Sequence, residues 1–131
     1  MTGTASRWPL ALAAVFGATG VLAGAFGAHS LRDLVTPDRL VVWQTAAQYQ
    51  LLHAVVLLAL SAWLIFKPTT LRHWALRCFV VGIGLFSGSL YLLVLTDLRW
   101  LGAITPVGGV ALILGWSMLL LSALREDIRI G

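Results

Sequence analysis

Four apolar runs, each about as long as the thickness of a lipid bilayer, constrain this chain more than any other feature. They extend over residues 9–28, 44–66, 74–95 and 107–124. Apart from Arg77, one turn inside the third run and able to snorkel, none contains Asp, Glu, Lys or Arg. Backbone N–H and C=O groups in hydrocarbon have no water to bond, so such runs must satisfy themselves as helices. With 60% hydrophobic and 11% charged residues and a mean hydropathy of +0.93, the chain has the composition of a membrane protein. The expected fold is an all-α bundle of four transmembrane helices in one transmembrane domain over residues 1–131. The first run follows Arg7 and ends in Ala25-Phe26-Gly27-Ala28, a loose imitation of a signal-peptide cleavage site. Its apolar core exceeds the usual ~7 to 15 residues, and the expectation is a retained span.

Topology follows from where the cations fall. The nine Lys and Arg stand singly at the ends of apolar runs, with no patch suited to nucleic acid. Arg7, Lys67, Arg72, Arg77, Arg125 and Arg129 share one side, whereas Arg32, Arg39 and Arg99 share the other. Six against three predicts cytoplasmic termini. The outer loops then run from His29 to Trp43 and from Thr96 to Pro106, with Trp43 and Trp100 as interfacial anchors. In both loops a Leu-Arg pair leads to Thr-Pro, Thr36-Pro37 and Thr105-Pro106, suited to an N-cap and a first-turn proline. That pattern fits either reuse of good capping residues or a faint duplication of a helical hairpin. Ser30 and Asp33 have the spacing of a capping box, which predicts a short interfacial helix in the first outer loop. Ion pairs of Arg32 with Asp33 or Asp38, and of Asp97 with Arg99, are expected to hold loop geometry.

Helices in lipid associate through close approach of small residues. Ala13, Gly17, Gly20, Gly24, Gly27 and Ala28 fall within about 100° of arc on the first helix. Gly84 and Gly88 provide a small-residue pair on the third, and Gly108, Ala111, Gly115 and Ser122 a stripe on the fourth. These faces are expected to meet inside the bundle or to receive a second copy or a foreign subunit.

The second run begins polar. Gln44, Thr45, Gln48, Tyr49 and His53 sweep through half of the helix circumference, with Ala47, Leu51 and Ala54 opposite. His53 lies about 14 Å deeper than Gln44, near the middle of a ~30 Å hydrocarbon layer. A side chain that polar is costly against lipid, so this flank is expected to face the bundle and meet Ser87 and Tyr91 of the third helix. The bland reading is a structural hydrogen-bond network; the functional readings are a pocket for a small ligand or lipid headgroup, a polar solute route, or a haem or quinone site at His53.

Other chemistry lacks its parts. His29 and His73 sit at the ends of spans, at other depths than His53, so no metal set forms. Ser61, Ser87 and Ser89 have no acid within a span to orient a histidine base, and no enzyme activity is expected. Asp33, Asp38, Asp97, Glu126 and Asp127 fall in loops or tail, which argues against a proton-coupled multidrug exporter. Cys78 has no second thiol and reads as a small packing residue. No cofactor is expected.

Four blocks carry a resemblance: Gly24 to His29; Trp43-Gln44-Thr45-Ala46 with Tyr49-Gln50 and His53-Ala54; Phe86 to Tyr91; and Arg99 to Pro106 with Gly108-Gly109. In this order they resemble the YgdD-like inner-membrane family, domain of unknown function 423, whose relatives include small mitochondrial membrane proteins. The likeness covers roughly residues 10 to 124. Ser30 stands where that family is expected to have glycine, which bears on the turn after His29. The resemblance implies four spans in a bacterial inner membrane and marks His29, Arg32, Arg99, Trp100 and Thr105 as an outer-loop motif beside the polar stripe. It implies no substrate. The resulting expectation is an accessory, assembly or lipid-organising component of an inner-membrane complex, with lipids and other membrane subunits, or itself, as partners.

Overall fold

The computed structural model describes residues 6–130, with side chains described within 6–126. Helix α1 spans Trp8–His29, α2 Pro37–Phe66, α3 Thr70–Thr96 and α4 Thr105–Ile130, with single 3-10 turns at Leu31–Asp33 and Arg99–Ala103. There is no strand among the described residues. All four helices are long and apolar enough to cross a membrane. Asp127 and Arg129, counted in the sequence as tail charges, have side chains outside the described residues.

Helix ends are set by local chemistry, which is why α2 starts seven residues before its apolar run. Thr36 takes the extended conformation of an N-cap and accepts the Arg39 N–H at 3.4 Å, with Pro37 in the first turn. Thr69 does the same for the Arg72 N–H at 3.2 Å and starts α3 at Thr70. At the other end of α3, Asp97 adopts the left-handed conformation at φ 57°, with its N–H on the Leu93 carbonyl.

The loops differ from expectation. The capping box at Ser30 does not form: Ser30 stays in the right-handed helical region, with its N–H on the Phe26 carbonyl and no side-chain cap bond. An N-cap needs extended backbone, which Ser30 lacks while it continues α1. Beyond Ser30 the chain makes one 3-10 turn, with Leu31 buried among Trp43 and Val94. Thr105 is already helical; its hydroxyl meets that of Ser89 at 2.6 Å. Asp97 pairs with Arg39 at 2.5 Å, not with Arg99, and so ties the start of α2 to the end of α3.

The helices pack in chain order, α1 on α2, α2 on α3 and α3 on α4. Only 17% of the α1 span and 22% of the α4 span are buried, against 39% for α2 and α3, so the outer two flank the inner two. Leu57 and Leu60 of α2 meet Leu76, Phe79 and Ile83 of α3 in the core, with Ala13 and Leu112 closing it from the flanks.

Only half of the expected glycine contacts occur. A Cβ at Gly108 would collide with the backbone of Phe86, lying 2.8 Å from its Cα, so α3 and α4 touch main chain to main chain there. Gly20 lies against Leu51, Gly27 against the Trp43 indole and Gly115 against the Phe79 ring. In contrast, Gly17, Gly24, Gly84 and Gly88 face open space. The small residue of α3 that meets α4 is Gly82, under Leu112. Gly84 is two residues on, about 200° around the helix, and is therefore turned away.

Candidate functional site

Polar side chains enter the interior along most of its length. In the half of the bundle that carries the two 3-10 turns, Gln50 is 5% exposed and joins three helices. Its Nε2 donates to the Phe16 carbonyl at 2.9 Å and to the Thr19 hydroxyl at 2.7 Å, while its Oε1 accepts the Tyr91 hydroxyl at 2.8 Å. Beside it, Trp43 donates its indole N–H to the Ala23 carbonyl at 2.7 Å and packs on Tyr91 with ring centroids 4.6 Å apart. Ser87 donates to the Ala46 carbonyl at 2.7 Å, fastening α3 to α2.

His53 is 3% exposed and engaged at both nitrogens. The Trp116 indole N–H points at Nε2 from 3.2 Å, and Nδ1 lies 2.8 Å from the Tyr49 carbonyl. An indole nitrogen can only donate and a carbonyl can only accept, so the proton belongs on Nδ1. Phe79 and Trp116 crowd the ring, tilted and edge-on, at 5.8 and 6.1 Å. Both nitrogens are thus engaged, Nε2 as an acceptor and Nδ1 as a donor.

At the level of the chain ends, Arg72 is fully buried. Its guanidinium lies 3.7 Å over the Trp63 ring, donates to the Lys67 carbonyl at 2.5 Å and pairs with the Glu126 carboxylate. Its Nε has no hydrogen-bond partner. One cation thus holds the end of α2, the start of α3 and the end of α4. The sequence pattern alone puts Arg72 and Glu126 in a loop and a tail. The signal available was an arginine three residues after a capping threonine, with an acid at the end of the last helix to face it.

The polar flank of α2 divides. His53 points inward, as do Ser87 and Tyr91 of α3, but Gln44 and Gln48 are exposed on the outside. Thr45 returns its hydroxyl to the Val41 carbonyl of its own helix, and Tyr49 is 42% exposed with its ring on Phe86. Ala47 and Ala54, expected opposite the bundle, are each only 4% exposed. Trp43, Ala46, Ala47, Gln50, His53, Ala54 and Leu57 make the buried stripe, with the three- and four-residue spacing of a packed helix. Trp43 is therefore an interior residue and not an interfacial anchor. A polar route past Gln44 and Gln48 does not pass through this interior. In the outer-loop set, His29, Arg32, Arg99 and Trp100 are exposed and only Thr105 joins an interhelical bond. Arg32 has Asp33 at 3.9 Å.

These features define a multi-pass helical membrane protein in which Gln50, His53, Arg72, Ser87 and Tyr91 join one helix to another. A family profile described as "Protein of unknown function (DUF423)" matches residues 23–109, and the chain belongs to that family. It is 45% identical over 103 residues to a UPF0382 membrane protein of Staphylococcus epidermidis, covering 78% of this chain and 83% of the relative. It is 44% identical over 103 residues to UPF0382 membrane protein SSP2132 of Staphylococcus saprophyticus, covering 78% and 84%. With UPF0382 inner membrane protein YgdD of Escherichia coli it shares 38% identity over 120 residues, 92% of each chain. No solved structure matches it.

Proposed function

We propose that this protein is a non-enzymatic accessory or assembly component of a bacterial inner membrane, acting through its outer faces with both termini in the cytoplasm. The observation that carries this reading is the use of the interior. Gln50, His53, Ser87 and Tyr91 bond to other helices of the same chain. Such groups rigidify a fold, with each interhelical bond contributing about 0.6 to 2 kcal/mol in a membrane. The same helices leave Gly17, Gly24, Gly84 and Gly88 bare on their outer surfaces, where a neighbouring helix can approach closely. The inner-membrane setting is supported by the name of the Escherichia coli relative. The 3-10 turn at Leu31–Asp33 would then lie at the outer interface.

The experiment is purification of the tagged protein in a mild detergent or directly in native lipid discs, with a complete subunit inventory. A foreign membrane subunit in fixed ratio is the expected result. Recovery only as a bare monomer at native expression levels would overturn the accessory role.

A further inference from the structure

Helices α1 and α2 do not close against each other along their whole length. At the side of the chain ends, a cavity of about 350 Å³ opens between Trp8, Pro9 and Leu10 of α1 and Ser61, Leu64 and Ile65 of α2. Ser6, Pro68 and His73 complete its mouth. Deeper along the same seam lies a second hollow of about 300 Å³, between Ala13, Ala14, Gly17 and Val21 on one side and Leu51, Val55 and Leu58 on the other. Its floor is Ala13 and Ala54, both buried, and its outer walls are Val21, Val55 and Leu58, all more than half exposed.

The two hollows follow one another along the same pair of helices. Leu10, Ala14, Gly17 and Val21 succeed one another at steps of four, three and four residues along α1, and Leu51, Leu58 and Ile65 at steps of seven along α2, so each helix gives one continuous edge. From Trp8 to Val21 the trough is about 20 Å long at 1.5 Å per residue, enough for the ~15 Å hydrocarbon depth of one leaflet and part of a headgroup. Small residues make it: Gly17 has nothing within 4 Å of where a Cβ would stand.

The mouth differs in character from the trough. Arg7 adjoins Ser6 and Trp8, Lys67 adjoins Pro68, and both cations are exposed. Among the described residues neither has a carboxylate within 4.0 Å, whereas Arg32, Arg39 and Arg72 each have one. A largely apolar seam of leaflet length, with a tryptophan at its mouth and two exposed cations next in sequence to the residues that line it, has the chemistry to receive an anionic phospholipid.

We propose that the α1–α2 seam is a binding site for one anionic phospholipid of the leaflet on the side of the chain ends, its acyl chain along Leu10 to Val21 and its phosphate between Arg7 and Lys67. This rests on the outward-acting role above and names one partner for it.

The test is native mass spectrometry of the purified full chain released from micelles carrying phosphatidylglycerol and phosphatidylcholine in equal amounts. At about 1 kcal/mol for each cation near an anionic headgroup, the wild type should retain one phosphatidylglycerol with a preference of roughly thirtyfold. The double variant Arg7→Gln with Lys67→Gln should lose most of that preference. Gly17→Leu, which fills open space, should lower retention of both lipids while the helical circular dichroism stays unchanged. Equal retention of the two lipids by the wild type overturns the proposal, as does a preference untouched by both variants. Loss of lipid selectivity with a foreign subunit still bound would sink this site alone; absence of any subunit with selectivity intact would sink the accessory role alone.

Discussion

The Trp116 indole N–H points at Nε2 of His53 across 3.2 Å, joining α4 to the middle of α2 although the tryptophan itself is 46% exposed. The imidazole is thereby fixed in one tautomer between two helices. Trp116→Phe keeps an aromatic ring and removes the donor, and it should lower stability by about 0.5 to 1.5 kcal/mol. His53→Ala should cost more, because it removes a packed ring and leaves the indole N–H unpaired. A double-mutant cycle on detergent unfolding measures the pair; a coupling energy of zero would show that the bond contributes nothing.

Gln50 separates two accounts of the polar flank. Gln50→Leu removes bonds to Phe16, Thr19 and Tyr91 together, and is expected to destabilise by about 2 to 3 kcal/mol. Gln44→Leu and Gln48→Leu, on the outer surface, should change stability by less than about 0.5 kcal/mol. The same unfolding assay decides, and equal losses at all three positions would restore the flank expected from sequence.

At the glycines the expected signs are opposite. Gly108→Ala must push Phe86 away along its backbone and should cost about 1 to 3 kcal/mol. Gly84→Ala and Gly88→Ala meet nothing and should be neutral in the isolated protein, or slightly stabilising through better helix propensity. If those two variants instead abolish recovery of a foreign subunit, the outward glycines are where that subunit docks.

The Arg72 pair calls for a comparison of single and double changes. Glu126→Ala strands a guanidinium that is fully buried and should destabilise by about 2 to 4 kcal/mol. Arg72→Met together with Glu126→Leu removes both charges and should be tolerated better than the single change. Thermal unfolding of the wild type and the two variants in one detergent, followed by circular dichroism, gives the ranking; a double variant worse than Glu126→Ala would show that the pair itself is net stabilising.

The four spans were legible because hydrocarbon imposes one simple demand, apolar length, and that demand acts on each run independently. Rotation of each helix was less so. Gln48 and Gln50 are equally polar, and only the neighbours decide which faces inward: Ala46, Ala47 and Ala54 are small enough to let α1 and α3 come close, which carries Gln50 and His53 with them. A wheel weighted by polarity chose the flank with more polar atoms; a wheel weighted by small side chains would have chosen the correct one. Arg72 was missed for a related reason. A cation at a span boundary normally reaches for water, and nothing in a hydropathy profile records that Trp63 and Glu126 wait for it inside.

The placement of Arg72 also imposes an order on biogenesis. While the ribosome is still making α4, the Arg72 guanidinium has Trp63 and the Lys67 carbonyl beside it, but its carboxylate follows only with Glu126 of α4. Insertion of α3 and α4 together as one hairpin, with α4 closing over α3, spares that buried cation an interval without its counter-charge.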